Sequence, residues 1–237
     1  MLAQIMSGRM DFSQLIIQVI ALLIVIFITM PLHEWAHGFV AYKLGDNTAK
    51  MSGRLKFNPM AHIDPFGTLC IILFGIGWAK PVPINPRNFK NPKVGMAITA
   101  FAGPLSNLIA GFVGTVIMQS LYLLLTTEVA LNFNYANIIM NTITFFNYFV
   151  LINIGLAVFN LLPIPPLDGS KILYAFLPNN LVYKISMYER QISFVLILLL
   201  LVGPFSKFIN TASGFVYSGM FQLVAMIFGI TWFSPKG

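Results

Sequence analysis

From Leu15 to Leu32 the chain carries no charged residue, and it then runs directly into His33-Glu34-Trp35-Ala36-His37. An uncharged run of that length leaves few folds open. It is long enough to cross a hydrocarbon layer of roughly 30 Å. Inside that layer only a helix or a closed barrel satisfies its own backbone. On a helix, His33 and His37 lie on one face, one turn apart, and can share a metal ion. Glu34 beside them is an acid able to take a proton from a water at that metal. In a soluble chain the motif points to a zinc peptidase. Here it places the same chemistry inside a membrane.

Composition agrees, with 57% apolar residues and only 9% charged ones. An ordinary soluble domain is excluded, and the 237 residues leave no room for a large one beside the spans. The single cysteine, Cys70, excludes an internal disulfide and a cysteine-based zinc cage. The first apolar segment has no small-residue cleavage site and continues into the histidines, so it is expected to stay rather than be removed as a signal peptide. The net charge of +7 fits loops that face an anionic membrane leaflet. The lipid bilayer is the expected surroundings, and no nucleic-acid partner is expected.

Five spanning segments are predicted, over 13–42, 94–125, 137–162, 192–202 and 208–233. The fourth is short unless it begins near Leu181, and Gly214 and Gly219 weaken the fifth. No internal repeat is visible. Between Gly53 and Pro86 lie Pro59, Pro65, Pro81 and Pro83. The apolar part of that stretch, Phe66 to Trp78, is too short to span and suits a re-entrant or β-hairpin segment. The expected fold is an all-α polytopic membrane protein, one domain over residues 1–237 with its core about 13–180.

Charge sets the orientation. Lys43, Lys50, Arg54, Lys56, Lys80, Arg87, Lys90 and Lys93 lie between the first two spans. Lys171, Lys184 and Arg190 lie between the third and fourth, while the second loop holds only Glu128. The positive-inside rule puts both basic loops in the cytoplasm. The amino terminus is then outside and the carboxyl terminus inside, in a multi-pass protein of the cell membrane.

From Leu15 to His33 a helix rises about 27 Å. A metal at His33 and His37 thus sits a little below the cytoplasmic surface. Pro31, just before the motif, is expected to bend or loosen the helix. A catalytic zinc takes three protein ligands and leaves one position open. Asp11 and Glu128 are on the wrong side for the third ligand, and Asp46 and Glu189 fall among solvated loop residues. Asp168 follows the third span at the cytoplasmic end, after Pro163, Pro165 and Pro166 unwind the helix and just before Gly169. It is the expected third ligand. His62 and Asp64 are read as loop residues satisfied by backbone contacts rather than as a second metal pair or a gate.

The motifs His33-Glu-Trp-Ala-His37 and Asn160-Leu-Leu-Pro-Ile-Pro-Pro-Leu-Asp168-Gly169 together resemble the site-2 protease family of intramembrane zinc metalloproteases. Gly103-Pro104-Leu105-Ser106-Asn107 is similar to that family's G-P-x-x-N element. The stretches from Asn58 to Pro65 and from Trp78 to Pro83 look like its small members, those without a regulatory domain. The resemblance implies one zinc per chain on His33, His37 and Asp168, with Glu34 as the catalytic base. It implies that Asn160 hydrogen-bonds an extended substrate, and Asn107 is a second candidate substrate-binding residue. Single-span membrane proteins or signal-peptide-like segments are the implied substrates. Two rival readings use the same residues. A metal transporter or channel would employ His33, Glu34, His37 and Asp168 as a transit site, and a silent scaffold would not need Glu34.

Overall fold

A computed structural model describes residues 12–56, 58–74, 77–127, 133–201 and 203–229. Among these residues all regular structure is helical. Helix α1 (Phe12–Ile24), a π-helical turn (Val25–Thr29) and α2 (Met30–Lys43) form one continuous rod. Pro31 has no N–H to give to the preceding turn, and the widened turn directly precedes it. Thr29 Oγ1 donates back to the Val25 carbonyl at 3.1 Å. The loosening expected at Pro31 therefore takes the form of a π turn, a device often found beside functional sites.

Next come the short α3 (Thr48–Met51), α4 (Pro65–Phe74), and the long α5 (Pro92–Leu125) and α6 (Phe133–Asn160). They are followed by α7 (Asp168–Tyr174), α8 (Asn179–Met187), α9 (Glu189–Leu201) and α10 (Gly203–Ile227). Three helices are long and apolar enough to cross a membrane, over Phe12–Lys43, Pro92–Leu125 and Asn134–Asn160. They match the first three expected spans. Helix α9 has 13 residues, a rise of about 20 Å, and falls short of a bilayer on its own.

Helix α5 is the centre of the molecule and packs on α2, α6 and α7. Its inner face is made of small and polar residues, among them Thr99, Gly103, Asn107 and Gly111. Small residues let helix backbones approach closely where no aqueous driving force presses them together. Its outer face carries Ile98, Phe101, Leu105, Ile109 and Val113, all exposed. These recur at helical spacing and suit contact with lipid. Helix α6 turns the fully buried Val150, Asn153, Ile154 and Ala157 toward α5 and its neighbours.

Of the expected re-entrant or β-hairpin segment, no β-hairpin is seen among the described residues. The segment is helix α4 followed by an extended return over 77–85, and no strand occurs among the described residues. Pro81, Pro83 and Pro86 cannot donate to a ladder. The return is nonetheless close: the Trp78 carbonyl packs against Gly67, and the Phe66 and Trp78 rings lie 5.8 Å apart.

Asp46 corrects a second expectation. It is 0% exposed rather than solvated. Its carboxylate accepts hydrogen bonds from the Thr48 amide at 3.0 Å, the Asn85 amide at 2.7 Å and Asn88 Nδ2 at 2.7 Å. Burial opposes its charge, but a bond from the Thr48 hydroxyl together with these three outweighs burial and holds the carboxyl below its ordinary range. Asp46 thereby pins the 85–88 turn against the end of α2. Asp11 and Glu128, which the sequence set aside as the third ligand, lie outside the described residues.

Candidate metal centre

His33 and His37 leave α2 on the face that meets α5. The crossing is at Gly103, where a Cβ would collide with Nε2 of both imidazoles. Each ring is fixed from behind. His37 Nδ1 donates to the Thr99 carbonyl at 2.7 Å. A carbonyl only accepts, so this ring's Nε2 keeps its lone pair. His33 Nδ1 donates to Asn107 Oδ1 at 2.8 Å. Asn107 Nδ2 in turn donates to Asn153 Oδ1 at 3.4 Å, and Asn153 Nδ2 to the Phe149 carbonyl at 2.9 Å. Both Nε2 atoms therefore face the same space as acceptors.

Asp168 enters that space from the far side of an irregular loop. Pro163, Pro165 and Pro166 prevent α6 from continuing, and α7 begins at Asp168. Gly169 sits against the carbonyls of Leu161 and Leu162, where a side chain would not fit. Asp168 Oδ2 lies 3.2 Å from His33 Nε2 and 3.3 Å from His37 Nε2. The two Nε2 atoms are 3.0 Å apart, with the rings edge to face at 86°.

The donor set suits zinc. Two imidazole nitrogens and one carboxylate oxygen lie within 4.8 Å of one another. All three have lone pairs directed inward, and the opposite nitrogen of each ring is held by a partner that fixes its tautomer. Three protein ligands would leave room for a fourth, as in the catalytic type of zinc site rather than the closed structural type.

The other expected residues fall into place around this trio. Glu34 Oε2 accepts from the Val82 amide at 2.9 Å. Asn160 ends α6, and its Nδ2 donates to the Leu156 carbonyl one turn back at 2.9 Å. Asn107 was set against substrate, but it is 1% exposed and stands behind His33, where it orients the imidazole. Asp64 caps α4, accepting from the Gly67 amide at 2.8 Å. His62 is buried beside a cavity of about 170 Å³ lined also by Pro31, Leu32 and Trp35. Burial, reinforced by the charge of Arg54, holds its imidazole below its ordinary pKa. Asp64 is thus engaged as a loop residue, whereas neither ring nitrogen of His62 has a hydrogen-bond partner among the described residues, so the expected backbone contacts are not made by its imidazole. Sequence reasoning missed the Thr99 carbonyl, Asn153 and the Val82 amide. The first and last are backbone groups, which leave no signature in residue type.

Comparison with known proteins agrees with this geometry. The family model described as Peptidase family M50 matches residues 21–203. The chain is 39% identical over 191 residues to a Bacillus subtilis protein named putative zinc metalloprotease YwhC, covering 79% of this chain and 83% of that one. It is 27% identical over 181 residues to a Mycolicibacterium smegmatis protein named putative zinc metalloprotease Rip2. That match covers 74% of this chain and 64% of the relative. No solved structure matches the chain.

Proposed function

Because the chain belongs to peptidase family M50 and is an intramembrane zinc metalloprotease, we propose that His33, His37 and Asp168 hold its zinc and that Glu34 is its general base. The observation that carries this reading is the convergence of three inward-facing donors beside an acid. The substrates are membrane proteins, and the bond cut lies in or near a transmembrane segment. No finding favours the transporter reading.

Zinc held by this trio supplies Lewis acidity, polarising a carbonyl and acidifying water. The protein's own residues do the rest. Glu34 accepts the proton of the attacking water and passes it to the amine nitrogen as the C–N bond breaks. Thr99 and Asn107 keep the imidazoles aimed during this cycle. A substrate helix hides its carbonyls in internal hydrogen bonds, so it unwinds locally before attack. Asn160, at the end of α6, offers a donor and an acceptor to the extended backbone that results.

Helices α9 and α10 complete a five-span arrangement, α9 doing so by extension through α8 or by sitting in a thinned layer. The basic loops face the cytoplasm, with the metal just below that surface. A reporter fused near Arg87 or Lys184 should read cytoplasmic, and an external reading would overturn the orientation. The functional test is reconstitution with single-span peptides. Wild type should cleave them without metal flux, Glu34→Gln should bind zinc yet lose about 10²–10⁴-fold in rate, and Asp168→Ala should lose zinc. Undiminished zinc in Asp168→Ala would remove that residue from the site.

A further inference from the structure

The extended return between α4 and α5 reads Lys80-Pro81-Val82-Pro83-Ile84. Proline has no N–H, so within Pro81-Val82-Pro83 only Val82 can donate from the backbone. That one donor is spent on Glu34, whose Oε2 it meets at 2.9 Å. The strap is tied down on both sides of it. The Lys80 amide donates to the His62 carbonyl at 2.8 Å, and the Asn85 amide to Asp46 Oδ2 at 2.7 Å. The Val82 side chain is also seated, at 7% exposure. It packs over Gly38, one helical turn beyond Glu34 on the same face of α2. A Cβ at position 38 would lie 3.1 Å from Val82 Cγ1 and 3.2 Å from the Ala49 Cβ. Gly38 thus sets how deeply the strap lies, and the flanking prolines make Val82 the point at which it can grip.

We propose that the Val82 amide is a positioning group for catalysis. It holds one oxygen of Glu34 in place and leaves the other directed at the water whose proton Glu34 takes. An unrestrained glutamate side chain samples several rotamers, only some of which reach that water. A hydrogen bond to an ionised acceptor is among the stronger ones. It favours the oriented carboxylate by about 10- to 100-fold over its loss. The inference rests on the reading of Glu34 as general base.

The test uses the full-length, zinc-loaded enzyme in vesicles. The valine at 82 is replaced by its α-hydroxy acid, which turns the amide into an ester, removing the N–H and weakening the Pro81 carbonyl as an acceptor for Arg54, and Arg54→Ala controls for that second effect. Val82→Pro removes it genetically, and Val82→Ala retains it. The ester and proline variants should lose about 10- to 100-fold in kcat, with zinc content and KM within about twofold of wild type. Val82→Ala should keep a kcat about tenfold or more above that of Val82→Pro. A readout apart from activity is hydrogen exchange of the single amide in Pro81-Val82-Pro83. It should quicken about tenfold or more in Glu34→Ala. Wild-type kcat in the ester enzyme, or unchanged exchange in Glu34→Ala, overturns the proposal. So does a loss of kcat accompanied by loss of zinc, which would make the bond one of folding. Glu34→Gln separates the two levels. If that enzyme turns over normally, the base reading falls and the inference with it. If it is inactive while the ester enzyme is normal, only the positioning role falls.

Discussion

Gly103 lies directly against the imidazole of His37, with no space between them for a methyl group. Helix α5 reaches the candidate metal ligands because this position has no side chain. Gly103→Ala should push α5 away from α2 and loosen the grip of Thr99 and Asn107 on the two rings. The helix gains propensity from the change, so the fold should persist. Zinc affinity should fall about 10- to 100-fold, as for other losses of support behind metal ligands. Zinc titration against a competing chelator measures this. Unaltered affinity in Gly103→Ala would show that the close crossing is not needed for the site.

Asn107 fixes the tautomer of His33 by accepting from Nδ1 at 2.8 Å. Asn107→Leu removes that acceptor and leaves a buried N–H without a partner. Zinc affinity should drop about 10- to 100-fold. Asn107→Asp keeps an acceptor and should bind zinc more tightly than the leucine variant. If Asn107 instead contacted substrate, Asn107→Leu would raise KM and leave zinc untouched.

Asp46 ties the end of the strap to the end of α2, accepting from four donors, the Thr48 amide and hydroxyl, the Asn85 amide and Asn88 Nδ2, and its carboxyl is held below the ordinary carboxylate range. A lowered pKa in the folded state means that the unfolded state binds the proton more readily. The stabilisation is therefore complete above the unfolded value of about 4 and fades as pH falls through the folded value. Thermal unfolding of the detergent-solubilised protein should show this loss at acid pH. Asp46→Asn should be less stable near neutrality by about 1–3 kcal/mol, and its acid-side slope should be shallower. An equal slope in the two proteins would assign the acid transition to other groups.

The clustering of His33, His37 and Asp168 was legible in the sequence for a physical reason. Helical geometry fixes His33 and His37 on one face without any tertiary information, and the charge asymmetry of the loops brings Asp168 to the same end of the spans. The Gly53–Pro86 region was not legible in this way. Its prolines rule out a ladder, but its path depends on distant partners: the His62 carbonyl, Asp46, and the space over Gly38. Asp46 looked solvated because its neighbours in sequence are polar, whereas its burial comes from residues 85–88 folding over it. Asn107 was recognised as part of a motif, but its direction was not, since a helical position at a crossing can face either a ligand or a substrate.

Asn160 tests how the enzyme handles an unwound substrate. Its Nδ2 donates to the Leu156 carbonyl at 2.9 Å, a bond that closes the last turn of α6 and is easily exchanged for another acceptor at a half-buried helix end. As a clamp, Asn160 swaps this local bond for bonds to the substrate backbone, and its side chain matters only when a peptide is present. As a helix-end fastener, it matters all the time. Asn160→Ala should therefore keep its zinc and lose no more than about 1 kcal/mol of stability. Its cleavage of a full transmembrane substrate should drop about 10- to 100-fold, while a substrate already unwound at the cut site by glycine or proline should suffer less. Asn160→Gln moves the amide by one methylene and should not restore the rate. Normal turnover of the helical substrate by a stable Asn160→Ala enzyme would exclude the clamp, and activity that falls only in step with stability would leave Asn160 the fastening of α6.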